Sequence, residues 1–260
     1  MQRDFTIKKY KQILEAFQLK GYAIIAYEDL ISNTPPEKYV IMRHDVDDLP
    51  EQSLAKAKIE KEMGVRSTYY FRVVDESNHP HIIKEIAALG HEIGYHYEDL
   101  SLANGNFKKA IKLFEKNLNY FRGFYPIKTI CMHVSPASIW DNRLIWRDYK
   151  YKDYGVIAEP YFDVNFNETL YLTDTGRKWN GNKVSVRDKV KAAFQRGFDF
   201  KWSDEIINAV KKDTLPNKIM ITTHPQRWHN EIKPWVKELI LQNIKNTIKK
   251  YFYVANPMNE

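Results

Sequence analysis

The stretch Tyr39-Val-Ile-Met-Arg-His-Asp-Val-Asp-Asp48 decides how the rest of the chain is interpreted. It begins as a short apolar run, which is typical of a buried strand, and it ends in three acids and a histidine. Because side chains alternate along a strand with a period of two, Asp45 and Asp47 lie on the same face. Two neighbouring carboxylates repel each other, so a metal cation, a shared proton or solvent must relieve the repulsion. The alternative interpretation is an acidic helix N-terminus before Glu51.

The composition is that of an ordinary globular domain with an excess of positive charge. The chain has 260 residues, one cysteine and a formal net charge of +7. A single cysteine excludes an intrachain disulfide framework and a cysteine-rich zinc site. The basic residues are spread along predicted helices without an RNA-binding or zinc-finger signature, so we expect no nucleic-acid partner. Attraction to an anionic, nucleotide-linked substrate is compatible with the charge.

The N-terminal sequence and the hydropathy pattern predict where the protein resides. No apolar signal core follows Met1, and no stretch of about 18 uncharged apolar residues occurs. We therefore expect a soluble cytoplasmic protein without membrane insertion. The sequence does not indicate an oligomeric state.

Strand and helix patterns alternate along most of the chain, which is typical of a parallel sheet or barrel. Helices are predicted over residues 6–21, 53–63, 81–89, 107–121, 204–211 and 232–252, and strands over 22–27, 39–48, 67–74, 91–96, 128–133 and 218–223. The region 136–201 is rich in Tyr, Trp, Asp, Asn and Gly, and it predicts short strands and long loops. No linker or repeat divides the chain, so one domain over residues 1–260 is expected.

Side chains of the metal-ligand type stand where the predicted strands end. The first such strand ends in the two aspartates, and three later strands end at His96, His133 and His224. Because the carboxyl ends of parallel strands lie on one face, these four strand ends predict a site there. His91 precedes His96 by five residues, so the two lie on opposite faces and His91 is interpreted as structural.

These motifs resemble those of the polysaccharide deacetylase family, the NodB-homology domain of carbohydrate esterase family four. Asp45-Val-Asp47 is similar to the family's first motif, Gly90-His-Glu-Ile-Gly-Tyr-His96 to its second and Thr222-Thr-His-Pro225 to its last. The matches follow the family's order up to residue 228. The resemblance implies an α/β fold, specifically an irregular (β/α) barrel, and a divalent metal, most commonly zinc.

The resemblance also implies metal-assisted hydrolysis of an N- or O-acyl group on a sugar. By position, Asp45 is expected to be the general base, Asp47 and His96 metal ligands, and His224 the acid that protonates the leaving amine. A metal lowers the pKa of bound water, a carboxylate takes its proton and a histidine returns one. The sequence is similar to a variant branch linked to surface-polysaccharide biosynthesis, so an acylated sugar or sugar nucleotide is the expected substrate.

The second motif departs from the family pattern at Leu100, where a second histidine should stand. Catalytic zinc normally has three protein ligands and a water. Glu98 is the first candidate for the missing ligand, because a His-x-Glu pair on one extended face can reach one ion. Asp99 and His133 are the alternatives.

Further residues are predicted to tune the base or contact the substrate. Arg43 is placed to act on the acids beside it, and it is also counted among the predicted substrate contacts. Asp174, Arg177 and Trp179 form a set that suits sugar binding by hydrogen bonds and stacking. The alternative for that set is a loop held by an internal Asp–Arg pair with a packed tryptophan. The other predicted substrate contacts are His133, Arg227 and Trp228.

Three functions stay open from the sequence. The first is a metal-dependent deacetylase that acts on carbohydrate, and the second is a metal-dependent amidase that acts on a small non-sugar amide. The third is a non-catalytic carbohydrate-binding relative that has lost the metal. Leu100 favours the third, whereas the retained aspartates and histidines oppose it. Cys131 is expected to be a buried core residue rather than a nucleophile.

Overall fold

The computed structural model describes residues 3–134, 138–179 and 193–249. The strands in this part of the chain are β1 (Ala23–Ile25), β2 (Tyr39–Val46), β3 (Thr68–Phe71), β4 (Glu92–Tyr97), β5 (Ile130–Met132), β6 (Leu170–Thr173) and β7 (Lys218–Thr223). The α-helices are α1 (Ile7–Leu19), α2 (Tyr27–Ser32), α3 (Pro50–Glu62), α4 (Pro80–Ala88), α5 (Asp99–Leu102), α6 (Phe107–Arg122), α7 (Pro160–Asp163), α8 (Ser203–Lys211) and α9 (Ile232–Lys249).

The seven strands form one parallel sheet. Its order is β5-β4-β3-β2-β7-β6, and β1 pairs with the first half of β2. A parallel bridge between Thr129 and Ala158 extends the sheet beyond β5. In the described part of the chain β6 ends the sheet on the other side, so the strands form a partial barrel. This confirms the predicted irregular (β/α) barrel.

The central strand β2 explains why the sheet is covered on both faces. All eight residues of Tyr39–Val46 are buried, as in parallel sheets that carry helices on both sides. Helix α3 follows it with Pro50 at the first helical position, where the missing N–H costs nothing. Helix α1 begins after Thr6, whose hydroxyl accepts the backbone N–H of Lys9 at 3.0 Å.

A small residue is required at one position of the barrel interior. Gly94 lies on the same face of β4 as Glu92 and His96. A Cβ at Gly94 would lie 2.2 Å from Cε1 of Tyr70 and 3.1 Å from the carbonyl oxygen of Thr129. The tyrosine ring therefore fills the space under the strand end that carries His96.

Most predicted elements occur within a few residues of their expected bounds, and the three short helices α2, α5 and α7 were not predicted. Helix α2 replaces the end of the strand predicted over 22–27, and α5 begins directly after Glu98. The apolar run at 170–172 forms β6, as expected for short strands in this region. The predicted helix over 232–252 is observed as α9, and its last three residues lie outside the described residues. None of the described helices is long and apolar enough to cross a membrane.

Candidate metal centre and active site

Three side chains of the metal-ligand type meet at the carboxyl edge of the sheet. Asp47 follows β2, His96 lies in β4 and His133 follows β5. Oδ1 of Asp47 lies 3.6 Å from Nε2 of His96 and 3.5 Å from Nε2 of His133. The three ligand atoms lie within 4.8 Å of one another, so one ion can contact all three side chains.

The hydrogen bonding of Asp47 shows that these residues fit a divalent metal. Its Oδ1 is buried and has no hydrogen-bond partner. Burial raises the pKa of Asp47, but the charges of His133, His224 and His96 lower it below its usual value. A buried carboxylate oxygen without a donor is unfavourable unless a cation binds it. One carboxylate and two imidazoles with open positions suit zinc and related divalent ions.

Both histidine rings are oriented by a contact at Nδ1. Nδ1 of His96 lies 2.9 Å from the carbonyl oxygen of Cys131, and Nδ1 of His133 lies 2.8 Å from Oε2 of Glu98. Such contacts fix the ring so that Nε2 faces the metal position. Burial and the charge of His133 hold the pKa of His96 well below its usual value, which favours the neutral, ligating form.

The structure corrects the predicted third ligand. Glu98 lies behind His133, and Arg72 donates to both of its oxygens, from Nε to Oε1 at 2.9 Å and from Nη2 to Oε2 at 3.0 Å. His133, the alternative candidate that was also predicted to contact substrate, completes the group of side chains that could hold an ion, and Glu98 does not belong to that group. Asp99, the other alternative, accepts hydrogen bonds from Tyr95 in the core.

The aspartate predicted as the general base lies next to this group. Oδ2 of Asp45 lies 3.7 Å from Nε2 of His96. Arg43 donates to Asp45 from Nε at 2.7 Å and from Nη2 at 2.6 Å. Arg43 is only 1% exposed and both contacts go to Asp45, so its side chain is buried against the acid beside it, and its burial argues against the predicted substrate contact.

On the other side of the centre, His224 is held by a buried carboxylate. Nε2 of His224 lies 3.8 Å from Oδ2 of Asp47, and its Nδ1 lies 2.6 Å from Oδ1 of Asp174. Burial raises the pKa of Asp174, but the charges of Arg227 and His224 lower it well below its usual range. An ionised Asp174 orients the ring, so Nε2 is the nitrogen that faces Asp47.

The prediction that Asp174, Arg227 and Trp228 contact substrate is corrected by their burial. Asp174 and Trp228 are both 0% exposed. Nε1 of Trp228 donates to Oδ2 of Asp174 at 2.7 Å, and Nη1 of Arg227 donates to Oδ1 at 2.7 Å. These three side chains support His224 from behind.

The same correction applies to Arg177 and Trp179. Nη1 of Arg177 donates to the carbonyl oxygen of Trp235 at 2.9 Å, and Nε1 of Trp179 donates to Oγ of Ser203 at 2.9 Å. Trp179 is 5% exposed and belongs to the hydrophobic core, so it cannot stack on a sugar. The alternative considered from the sequence was a loop with a packed tryptophan and an internal Asp–Arg pair. The tryptophan is packed as in that alternative, but Asp174 pairs with Arg227 and not with Arg177.

Two other expectations from the sequence agree with the structure, and one residue was missed. His91 faces away from the site and contacts the carbonyl oxygen of Ala57 at 2.9 Å. Cys131 is fully buried, and it also lies close to the ligand atoms of Asp45 and His96. Arg72 was not predicted, although it directly follows β3 and the strand-end argument applied to the histidines would have identified it.

No protein-family model matches the sequence, and no curated protein is significantly similar to it. Among solved structures, the chain is similar to the Bc1960 peptidoglycan N-acetylglucosamine deacetylase, with 19% identity over 89% of each chain and a TM-score of 0.40. It is also similar to BA3943 of Bacillus anthracis, a CE4 family pseudoenzyme, with 12% identity over 84% of this chain and 64% of that chain and a TM-score of 0.41.

A third similar structure is a family 4 carbohydrate esterase from Streptomyces lividans, with 12% identity over 82% of this chain and 90% of that chain and a TM-score of 0.39. The esterase family named for the second and third structures is the family that the sequence motifs resemble.

Proposed function

We propose that this chain is a metal-dependent deacetylase of the polysaccharide deacetylase type, which hydrolyses an N- or O-acyl group on a sugar. The observation that carries the proposal is the unpartnered, buried Oδ1 of Asp47, which faces Nε2 of His96 and of His133. A base-type carboxylate, Asp45, and an Asp-supported histidine, His224, flank this point. Metal ligands, a base and an acid around one position are the parts that amide or ester hydrolysis needs.

The metal would be held by Asp47, His96 and His133, and we propose zinc because this ligand set leaves a position open for water or substrate. A divalent ion bound there would polarise the acyl carbonyl and lower the pKa of water. Glu98 and Cys131 would orient the two imidazoles through their contacts at Nδ1.

Asp45 and His224 would carry the proton transfers. Asp45 is fixed by two hydrogen bonds from Arg43 and would accept the proton of the attacking water. His224, oriented by Asp174, would donate a proton from Nε2 to the leaving nitrogen or oxygen of the sugar. The two groups approach Asp47 and His96 from different strands, which suits proton removal and proton donation at different atoms of the substrate.

We propose further that the substrate is an acylated sugar or sugar nucleotide that serves as a precursor of a surface polysaccharide. The net charge of +7 supports an anionic, nucleotide-linked form, because positive charge attracts such a molecule. A cytoplasmic location, where such precursors are made, stays a prediction from the sequence.

One observation favours a second candidate function, a non-catalytic carbohydrate-binding domain. Arg43 occupies both oxygens of Asp45, so the proposed base must share its lone pairs with a guanidinium. In a domain that only binds sugar, this ion pair would serve to neutralise a buried carboxylate.

A measurement of acetate release separates the two functions. The zinc-supplemented protein is incubated with N-acetylated amino sugars and their nucleotide-linked forms, beside Asp45→Asn and the exposed control Asp148→Asn. We expect the parent and Asp148→Asn to release acetate, and Asp45→Asn to retain zinc but release none. A parent that binds zinc and a sugar without releasing acetate supports the binding domain instead.

A further inference from the structure

An ion pair between the partly exposed Arg72 and the buried Glu98 lies behind the candidate ligands, and together with His133 it joins the ends of three neighbouring strands. Arg72 follows β3, Glu98 follows β4 and His133 follows β5. Arg72 donates to both oxygens of Glu98, which is 4% exposed, and Glu98 in turn contacts Nδ1 of His133 at 2.8 Å. The chain of contacts therefore ends on a metal-ligand histidine.

Arg72 also reaches the strand that carries the aspartate ligand. Its Nη1 donates to the backbone carbonyl oxygen of Asp47 at 3.3 Å. The backbone N–H of Arg72 donates to Oγ of Ser77 at 3.0 Å, and that hydroxyl donates to the carbonyl oxygen of Val46. The segment after β3 thus holds two successive carbonyl groups at the end of β2.

We propose that Arg72 and Glu98 are a positioning pair that sets two of the three metal ligands, Asp47 through its backbone and His133 through its ring. The inference rests on the metal centre of the proposed function. Leu100 stands where the family pattern has a second histidine, and it is buried in the core and offers no ligand atom. The Arg72–Glu98 pair orients the residue that takes the place of that histidine. The replacement ligand comes from a different strand, β5, so its ring needs its own orienting group.

Arg72 has a second consequence for the choice of ligand. A lone carboxylate two residues after His96 would itself be a suitable ligand for a divalent ion. Because Nε and Nη2 of Arg72 bind both oxygens of Glu98, that carboxylate is directed to the N–H of His133 rather than to the ion. The guanidinium also offsets the cost of burying the Glu98 charge. Glu98 and Arg72 are therefore positioning residues and not ligands.

The first test is zinc affinity, measured by competition with a chelating dye. Removal of a group that orients a ligating histidine typically weakens metal binding by about 10–100-fold, and we expect this of Glu98→Ala. Glu98→Gln keeps an acceptor oxygen for His133 and should recover part of the loss. Arg72→Met should also weaken binding, because it frees Glu98 and the carbonyl of Asp47. Unchanged affinity in Glu98→Ala would overturn the proposal.

The matched control is Glu28→Ala, which lies near the start of β4, away from the strand ends that carry the site. Glu28 is 5% exposed and pairs with Arg66, which precedes β3, so the variant loses a comparable carboxylate–arginine contact away from the site. We expect its zinc affinity to equal that of the parent. A loss as large as that of Glu98→Ala would show a general effect on folding and would contradict a positioning role.

A second readout needs no metal, so it separates this inference from the proposed function. Long-range proton–nitrogen spectra of the metal-free protein report which ring nitrogen of His133 carries the proton. With Glu98 as acceptor, we expect Nδ1–H in the parent and a shift toward Nε2–H in Glu98→Ala. The same tautomer in both proteins would overturn the positioning role. If Glu98→Ala shows this shift but the parent binds no zinc, the proposed function fails while the positioning of His133 by Glu98 stands.

Discussion

The candidate site and a second buried polar cluster lie on opposite faces of the same two strands. On β2, Asp45 and Asp47 face the site, whereas His44 faces α1 and α3. After β7, His224 faces the site, whereas Thr223 faces the same helices. We call the second group the helix-side cluster, and it consists of Tyr10, His44, Lys56, Glu60, Tyr69 and Thr223.

The helix-side cluster satisfies its own hydrogen bonds. Glu60 accepts from Tyr10, from Tyr69 at 2.5 Å and from Nε2 of His44 at 2.7 Å. Oγ1 of Thr223 lies 2.7 Å from Nδ1 of His44 and 2.6 Å from Nζ of Lys56. Burial lowers the pKa of Lys56 to about 7, and its Nζ lies 3.8 Å from the centroid of the Tyr10 ring.

The two clusters differ in whether a buried polar atom is left without a hydrogen-bond partner. Both clusters are buried and rich in titratable groups, but Oδ1 of Asp47 has no partner and points at two free imidazole nitrogens. The helix-side cluster has no such open position among its members. We therefore assign the helix-side cluster to stability and the site to metal binding and chemistry, and the predictions below test that division.

The largest expected effect is on the rate of deacetylation. His224→Ala removes the proposed acid and should lower kcat by roughly 10²–10⁴-fold, the usual contribution of general acid–base catalysis. Zinc affinity should change little, because His224 is not one of the proposed ligands. The control is His81→Ala, an exposed histidine at the start of α4. Equal rates in both variants would remove His224 from the mechanism.

Removal of the central carboxylate of the helix-side cluster should affect stability instead. Glu60→Ala leaves the buried hydroxyls of Tyr10 and Tyr69 and the ring of His44 without their acceptor, and each buried polar group left without a partner costs about 1–3 kcal/mol. Urea unfolding of the metal-free protein measures the loss, with Glu62→Ala on the exposed side of α3 as the control. Zinc affinity should stay at the parent value. A loss of less than about 1 kcal/mol would contradict the assignment of this cluster to stability.

The same residue predicts a pH dependence of stability. Burial raises the pKa of Glu60, but the charge and hydrogen bond of His44 and the hydrogen bond from Tyr10 outweigh it and lower the pKa to about 2. A carboxyl whose pKa is lowered on folding stabilises the fold above its unfolded pKa. This contribution, about 3 kcal/mol, is lost as pH falls from about 4.5 toward 2. The difference in unfolding free energy between the parent and Glu60→Gln should therefore shrink from pH 5 to pH 3, and a constant difference would contradict this.

The smallest effect is expected where the two regions meet, at Trp228. Its ring lies 4.5 Å from Nζ of Lys56, and its Nε1 donates to Asp174 at 2.7 Å. Trp228→Phe keeps an aromatic ring but removes a hydrogen bond to a charged group, which costs about 1.5–3 kcal/mol. The unfolding free energy should fall by this amount while zinc affinity is unchanged. A lower zinc affinity would show that the two regions are coupled and not separate.

The sequence predicted the parallel barrel and the strand ends because both depend on local patterns. Buried strands are apolar runs, and the period of two separates His91 from His96 without knowledge of the fold. The choice between Glu98 and His133 as the third ligand was not predictable in this way. It depends on the pairing of β4 with β5 and on Arg72, which holds Glu98 from a third strand.

The predicted sugar contacts failed for a different physical reason. Trp179 and Trp228 come from segments with little regular pattern, and residue type alone does not show whether a tryptophan in such a segment packs inward or faces a cleft. The buried position of Asp174 behind His224 cannot be predicted from nearby sequence. Its partners His224, Arg227 and Trp228 are all about fifty residues away along the chain.

Zinc content and affinity of the purified protein test the central claim most directly, measured beside an Asp47→Ala, His96→Ala double variant. We predict near-stoichiometric zinc in the parent and none in the variant. A parent that takes up no zinc at micromolar concentrations, or a variant that binds as well as the parent, would contradict the assignment of this site as a metal centre.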